Sequence, residues 1–479
     1  VYFALEHLIC SGRLIDVSIL YSFDYLSTVQ YVPKSMISSS GKPFFHLSVY
    51  ILSKSSSHIE TPSLVFVKDK EHGMPYLAAS DTVLANIETG RFLSNKQARI
   101  LKNLILKKDW ILITCSGTLG NVTYTNKTFE NHIATHDLIR VVPNDNKVNK
   151  GTLYAFLSGT YGYNQITQSQ FGGVVKHIND VQTKAILVPV FPESFQQEVD
   201  DLIQESARLR EEAADMLEKS KNLLKEKAGL DNLVSEDYDY YGHRSADRKV
   251  SCFSIKQKEI TTTTINAFNL SERIRKTKEK IQSRYVRLGD VIENGRTFSS
   301  TSSSSVEVSP NNGVMFVNQK DIFDNIIKGK WVSKRGFNPA NCIQQGEVLV
   351  ACDGTLGESE FFCHALYAGE ELSGKLISSH FMRMRGNGTI PMGYLFAWLD
   401  TDYGFRFIRN TQAGTKICHP IQKLFVEIPV PLIDDDSMQE IDKLVRDAHA
   451  KRYQANCNER KAISLVEAEI ESWTTSKKN

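Results

Sequence analysis

The stretch that decides the fold is GTLYAFLSGTYGYNQITQSQFGGVVKH, Gly151–His177, because it returns as GYLFAWLDTDYGFRFIRNTQAGTKICH, Gly393–His419. Aligned at a constant shift of 242 without a gap, ten of the 27 positions are identical, among them Gly151/Gly393, Leu157/Leu399, Tyr161/Tyr403, Gly162/Gly404, Gln170/Gln412 and His177/His419. Chance at ordinary residue frequencies would give roughly two. Upstream, Cys115-Ser116-Gly117-Thr118-Leu119-Gly120 reappears as Cys352-Asp353-Gly354-Thr355-Leu356-Gly357. Downstream, Gln197-Glu198-Val199-Asp200 reappears as Gln439-Glu440-Ile441-Asp442. A period this long is not a solenoid unit. It predicts two copies of a whole domain, each followed by the same kind of tail, and a duplicated fold implies a duplicated target or a target with two halves.

At 479 residues the chain has room for two or three domains with cores of their own. Hydrophobic and charged contents of 41% and 23% are those of ordinary soluble protein, with no signal peptide and no apolar run long enough to span a membrane. The sequence opens on Val1 rather than Met, which leaves room for a short preceding piece. Its eight cysteines are scattered without a C-x-x-C pair. Cys115 and Cys352, at matching places in apolar strand-like runs, read as small core residues in a reducing compartment, taken to be the cytoplasm. Cys363-His364 and Cys418-His419 lack the spacing of a zinc site, so no metal is expected. The net charge of +2 divides unevenly: 193–228 and 433–472 carry −4 each, which leaves +10 on the remainder. Two acidic tails and two basic domains suit a polyanionic partner.

Trp110–Cys115 (WILITC) reads as a buried strand ending at the Ser116-Gly117 turn, and Val348–Cys352 as its copy. Gly151–Ile166 reads as a helix, as does its copy, and each is followed by a loop and a strand ending in proline, AILVPV at Ala185–Val190 and FVEIPV at Phe425–Val430. Then comes a helix with a heptad seam: Phe195, Val199, Leu202, Ser206, Leu209, Ala213, Met216, Ser220 and Leu223, with Gly229 as its C-cap. The second copy carries Ile441, Leu444, Ala448, Ala455, Ala462 and Leu465, with Lys451 and Asn458 at would-be core positions, and its alanines would let two helices approach closely. A seam needs a partner. The economical solution packs the two helices on each other; the alternative lays each on its own domain. The expected class is α+β: two homologous mixed α/β domains, 1–192 and 281–432, separated by two long antiparallel coiled-coil helices, 193–230 and 433–479, with a connector over 231–280. The connector holds the Tyr-rich stretch Ser235–Tyr241, and Ser299–Ser305 reads as a low-complexity loop.

Neither SGTLG nor DGTLG has the lysine of a phosphate-binding P-loop, and no G-x-G-x-x-G is present. These motifs read as tight strand–turn–strand junctions whose backbone amides could meet a phosphate. His136 and His380, at equivalent points, read as structural residues of a β-core. No nucleophile with a base and an orienting acid, no repeated carboxylate pair and no Pro-Pro occurs, so an enzyme is the poorer reading and a binder the better one. Candidate contacts gather where the copies differ: Lys96, Gln97, Arg99 and Lys102 before the first strand motif, Lys334 and Arg335 before the second. In the loops after each helix stand Gln165, Gln168 and Gln170, and Arg406, Arg409, Asn410, Gln412 and Lys416. Gln, Asn and Arg match base edges, and Lys and Arg satisfy phosphates.

In this order, twice over, the motifs resemble the DNA-specificity (S) subunits of type I restriction–modification systems. The chain has an apolar strand into S/D-G-T-L-G, a His-bearing segment, an aromatic helix, a Gln-x-Gly loop, I/V-P-V, and a Q-E-I/V turn onto a long helix. The resemblance covers nearly the whole chain and is closer in the second copy (TQAGTKI, IPVP, MQEI). The first departs with FPESFQQEV and a Phe-Gly-Gly loop. It implies two target-recognition domains, each reading one half of a split double-stranded DNA site, and an antiparallel helix pair that sets their spacing like a ruler. It further implies a non-catalytic subunit that binds no cofactor itself. Its partners would be two methyltransferase subunits using S-adenosylmethionine, with a motor-nuclease subunit joining them. On this basis Arg409→Ala is expected to weaken binding and relax the choice at one half-site only. The competing classes are a two-domain protein-recruiting scaffold without DNA specificity, and a divergent nuclease.

Overall fold

A computed structural model describes residues 44–49, 63–144, 146–168, 177–234, 237, 253–300, 306–335, 338–357 and 360–475. Its first domain runs β1 (Phe44–His46), β2 (Phe66–Val67), β3 (Gly73–Leu77), β4 (Phe92–Ser94), α1 (Asn95–Ile100), β5 (Ile111–Thr114), β6 (Val122–Tyr124), β7 (Ile133–Ala134), β8 (Leu138–Val141), α2 (Lys150–Ser158), α3 (Thr160–Gln168), α4 (Asp180–Lys184) and β9 (Leu187–Pro189). Then come the long helix α5 (Glu193–Ala228) and α6 (Glu272–Glu279) of the connector. The second domain repeats the plan with β10 (Tyr285–Arg287), β11 (Gly313–Val317), β12 (Lys330–Ser333), β13 (Val348–Ala351), β14 (Ala365–Tyr367), β15 (Leu376–Ile377), β16 (Phe381–Met384), α7 (Met392–Leu399), α8 (Asp402–Asn410), β17 (Gln412–Ala413), β18 (His419–Pro420), α9 (Gln422–Phe425) and β19 (Pro429–Pro431). The long helix α10 (Asp435–Thr475) follows.

Register shows why the two copies are one fold. β1 pairs antiparallel with β9, and β10 with β19, so each domain ties its first strand to its last. β5 runs antiparallel between β6 and β8, and β13 between β14 and β16. β3 pairs parallel with β7, and β11 with β15. The central strands are buried at every position because both faces are covered, and only Thr114 at the end of β5 is polar. Ile111 and Ile113 face the aromatic helix while Leu112 joins Leu77, Phe129 and Ala134 on the other side. Val348 and Val350, against Leu349 and Ala351, divide in the same way.

The expected single helix over Gly151–Ile166 is two helices, α2 and α3, meeting at Gly159, and its copy is α7 and α8, where Thr401 Oγ1 caps by accepting from Gly404 N at 3.1 Å. The corner explains a conserved pair of the repeat. A Cβ on Gly162 would stand 2.3 Å from the Phe156 carbonyl oxygen, and one on Gly404 2.3 Å from that of Trp398. Only glycine lets the second helix cross this close. The repeated aspartates are explained as well. Gly151 N donates to Asp200 Oδ1 at 2.6 Å and Gly393 N to Asp442 Oδ1 at 2.8 Å, so an aspartate on each long helix caps the aromatic helix of its own domain.

The long helices lie antiparallel on each other, and Gly229, in the left-handed region at φ 64°, ends α5. The 36 residues of α5 span about 54 Å. Approach is close enough for Ser206 Oγ to donate to the Ala455 carbonyl at 2.9 Å. Ile441, Ala448, Ala455 and Ala462, spaced by seven, are fully buried, opposite Val199, Ser206, Ala213 and Ser220. Half the expected seam is displaced by one residue. Ile203, Leu217, Leu224, Val445 and Val466 are buried, whereas Phe195, Leu202, Met216, Leu223, Leu444 and Leu465 are half-buried; Leu209 is buried as expected. The reason is that each helix also packs into the domains, which widens its buried face beyond a coiled-coil stripe. Val199, Ile203 and Ala207 join the first core together with Ala462, Val466 and Trp473, and Ala213, Leu217 and Leu224 join the second with Met438 and Ile441. Both solutions left open by the sequence therefore coexist. At the would-be core positions, Lys451 pairs with Glu212 at 2.7 Å and Asn458 accepts from Gln454 Nε2 at 2.9 Å.

The domains also touch directly. Leu84 and Asp324 form an antiparallel bridge in which Ala85 N donates to Phe323 O and Asn325 N to Val83 O, each at 2.8 Å. Since β3 and β11 are related by a shift of 240, Leu84 meets its own counterpart Asp324, and the same shift turns one of the two hydrogen bonds into the other. A pseudo-two-fold axis therefore passes between Leu84 and Asp324. Ser235–Tyr241, apart from Asp237, and Thr301–Ser305 lie outside the described residues.

Candidate nucleic-acid interface

β4 and β12 occupy equivalent places beside β3 and β11, and each delivers basic residues to its end. After β4, α1 carries Lys96 and Arg99, with Lys102 just beyond; after β12 come Lys334 and Arg335; all five are exposed. Gln97, in the same helix, is buried and closes the strand beside it: its Oε1 accepts from Val65 N at 2.7 Å and its Nε2 donates to Ser63 O at 2.7 Å. Gln165 grips β9 in the same manner, accepting from Leu187 N and donating to Leu187 O. Gln168 is exposed at the end of α3, and Gln170 lies outside the described residues.

The second loop cluster corrects the sequence reading. Arg409 is fully buried, donating to Leu356 O at 2.6 Å and Gly357 O at 3.1 Å, and thereby fixes the D-G-T-L-G turn. Arg406 is buried with its guanidinium over the Phe405 ring, and Gln412 is buried in the β17–β18 hairpin. Asn410 donates to Asn269 O at 3.0 Å, and Asn269 Nδ2 returns to the carbonyls of Asn410 and Gln412. As placed, Gln97, Gln165, Arg406, Arg409, Asn410 and Gln412 are buried or half-buried and engaged with neighbouring groups of the scaffold. In the second domain the connector contributes, packing α6 and Asn269 over α8 and covering a face the local pattern leaves open; in the first, Gln97 and Gln165 are taken up by neighbouring backbone. Lys416, by contrast, is exposed beside Ile417 at the tip of the hairpin, where Gly414 adopts φ +111°.

The turns after β5 and β13 bring together groups that the sequence reading kept apart. The Asp353 carboxylate accepts from Nδ1 of both His380 and His419. These imidazoles are 53% and 60% exposed, so neither belongs to a β-core. Backbone bonds hold all three segments: Cys352 N to His380 O, Gly354 N to Cys418 O and Cys418 N to Gly354 O, with Gln319 Nε2 on Asp353 O. In the first domain Ser116 stands in place of Asp353 and bridges to His177, while Cys115 N donates to Asp137 O beside the half-exposed His136. The signal was present in the nearly equal spacing of the two histidine pairs, 41 and 39 residues; the Ser116/Asp353 difference hid its chemistry. Cys115 and Cys352 beside these turns are thiols pushed up by burial, to about 11 and about 12, which leaves them unreactive near neutrality.

On the pseudo-two-fold axis a cavity of about 910 Å³ opens between the domains and both long helices. Arg210 and Arg452, counterparts at a shift of 242, line it with Asp324, Lys328 and Glu459. Arg210 is paired with Glu459 at 2.6 Å, whereas Arg452 donates to Ala85 O at 3.0 Å. Burial raises the Asp324 carboxyl to about 6, helped by the neighbouring Asp321.

Residues 61–205, which cover the first domain from before β2 onward and the start of α5, match the family model described as the type I restriction modification DNA specificity domain. No curated protein matches the chain. Among solved structures the chain is similar to a type I restriction–modification system S subunit from M. genitalium, at 13% identity and a TM-score of 0.31, over 91% of this chain and 95% of that one. It is also similar to an HsdS subunit from Thermoanaerobacter tengcongensis, at 14% identity and a TM-score of 0.26, over 90% and 96%. A third likeness, to a chain from a structure of type I restriction–modification complex assembly and conformational transition, has 14% identity, a TM-score of 0.26 and coverage of 89% and 97%.

Proposed function

We infer that this chain, whose residues 61–205 match the type I restriction modification DNA specificity domain, is the DNA-reading subunit of such a system. The observation that carries the reading is the duplication: one fold built twice around a pseudo-two-fold axis, with basic residues at the same strand end in both copies. Each domain reads one half of a bipartite duplex site, and the antiparallel helices fix the separation. A rod of about 54 Å is compatible with half-sites about one to one and a half turns apart, at roughly 34–36 Å per turn. Lys96, Arg99, Lys102, Lys334, Arg335 and Lys416 meet phosphates, and Gln168 is available to a base edge.

The chain performs no catalysis itself. It docks two methyltransferase subunits, which carry S-adenosylmethionine, and a motor-nuclease subunit can join them, all in the cytoplasm. Among the described residues no helix is long and apolar enough to cross a membrane. The test is selection from random duplex DNA by the chain co-expressed with its methyltransferase partner. Two short half-sites at a fixed distance are expected. Recovery of no motif by an intact complex would reject the reading in favour of a protein-recruiting scaffold.

A further inference from the structure

The Asp353 turn has a chemistry of its own. Each imidazole gives Nδ1–H to the carboxylate, so in its neutral form Nε2 is a bare acceptor, and only the imidazolium offers Nε2–H outward. Neither Nε2 is hydrogen-bonded within the described chain, and both rings are more than half exposed. The carboxylate is shielded between them. The group therefore carries −1 with both rings neutral and +1 with both protonated. The other charged side chains on the segments packed here include Lys320 and Asp321 beside Gln319, Glu360 against Gly357 of the turn, Lys416 of the hairpin and Arg409 beneath the turn. Among the described residues no His/Cys/Asp/Glu group of three or more is arranged to hold a metal ion; the two Nδ1 hydrogen bonds to Asp353 hold this group together. The first domain has Ser116 where the carboxylate would be, and a hydroxyl cannot support two cations.

We propose that His380 and His419, positioned by Asp353, form a phosphate-binding site of the second domain that engages DNA in the doubly protonated state. The inference rests on the DNA-reading function above and adds to it a ligand group, its contacts and a proton requirement.

The test uses the methyltransferase-loaded complex and a duplex recovered by the selection described above, with Kd measured from pH 6 to 8.5. Wild type is expected to tighten as pH falls, up to tenfold per pH unit for each proton taken up. H380Q/H419Q should flatten that slope, bind at least tenfold more weakly at pH 6.5 and leave both half-site sequences unchanged. A single methylphosphonate in the half-site read by the second domain should reproduce the loss in wild type and add nothing in the double variant. D353N should weaken binding at the same half-site only. Because both rings are exposed, the melting temperature of H380Q/H419Q should stay within about two degrees of wild type. Equal affinity and pH slope in wild type and double variant would overturn the proposal while leaving the function standing. Failure of wild type to select any duplex would instead sink the function itself.

Discussion

Replacing Gly393 with alanine tests the joint on which the repeat is built. A Cβ there would lie 2.6 Å from Asp442 Oδ1 and 3.0 Å from both Asp442 Cα and its carbonyl oxygen. The neighbours are the backbone of α10, already pressed against α5, so the clash cannot be relieved by a rotamer change. In an unobstructed helix the substitution would gain up to about 1 kcal/mol. Here overpacking costs about 1–3 kcal/mol, and pushing the helices apart stretches the Gly393 N–H bond to a carboxylate, worth about 1.5–3 kcal/mol. One displacement causes both losses, so they overlap, and a net loss of about 2–4 kcal/mol is expected. At about 2–4 °C per kcal/mol for a domain of this size, the melting transition of the second domain should fall by roughly 4–15 °C. Differential scanning calorimetry of the full chain reads this directly. Gly151→Ala should do the same to the first domain, since its Cβ would meet Asp200 Oδ1 at 2.7 Å and Asp200 Cα at 2.9 Å. Asp442→Ala removes the same cap, so its effect combined with Gly393→Ala should be less than additive. A Gly393→Ala chain that melts at or above wild type would refute the reasoning, because propensity alone would then govern the site.

Three further outcomes follow from buried polar groups. The Asp324 carboxyl, raised by burial to about 6 against about 3.9 unfolded, binds its proton more tightly in the folded state, so stability is greatest below about pH 4 and falls as pH rises to about 6. Asp324→Asn should therefore raise the melting temperature at pH 8 by the equivalent of about 1 kcal/mol, discounted for its partial exposure, and leave it unchanged at pH 4. His449 is held down to about 3 by burial and then by Arg452, so the native state resists its protonation and loses stability as pH falls from about 6.5 towards 3; His449→Gln should narrow the melting difference between pH 7.5 and 4.5. Arg409→Ala leaves the Leu356 and Gly357 carbonyls without their donor and should cost about 2–4 kcal/mol of second-domain stability, with the salt dependence of DNA affinity unchanged; a salt slope lowered by about one would restore it as a phosphate contact.

The architecture was legible where one residue had to satisfy a rule that its neighbours could not. Gly162 and Gly404 survive in both copies because a carbonyl leaves no room for a Cβ, and Asp200 and Asp442 because a helix end needs an acceptor. Such requirements are written into identity, and alignment of the chain with itself exposes them. Burial of polar side chains was not legible. Arg409 and Gln412 have the composition of DNA-reading residues, but Arg409 is held inward by the Leu356 and Gly357 carbonyls of the turn after β13, and Asn269, 143 residues from Gln412 in sequence, bonds the Gln412 carbonyl. Local pattern carries no record of that packing. The same limit displaced the seam by one residue, because a heptad describes one partner and each long helix here has several. It also separated His380 and His419 from Asp353, which only the crossing of three segments brings together.

The direct bridge between the domains changes what the helices can be said to measure. If spacing were set by the rod alone, adding a turn to α5 and α10 would simply move the domains apart by about 5.4 Å. The bridge at Leu84 and Asp324 lies on the pseudo-two-fold axis, and Asn456 of α10 donates to Asn325 O at 2.7 Å on the same spot. The seam obeys that axis too: Ser206 meets Ala455, and their counterparts at a shift of 242 are Ala448 and Ala213. Separation is thus fixed at the centre of the molecule as well as along its length. Lengthening the helices would have to break two backbone hydrogen bonds and the Asn456 contact before either domain could move. The relation between the two half-sites is then a property of one body with internal symmetry, and small side chains at the helix crossing matter to it as much as helix length does.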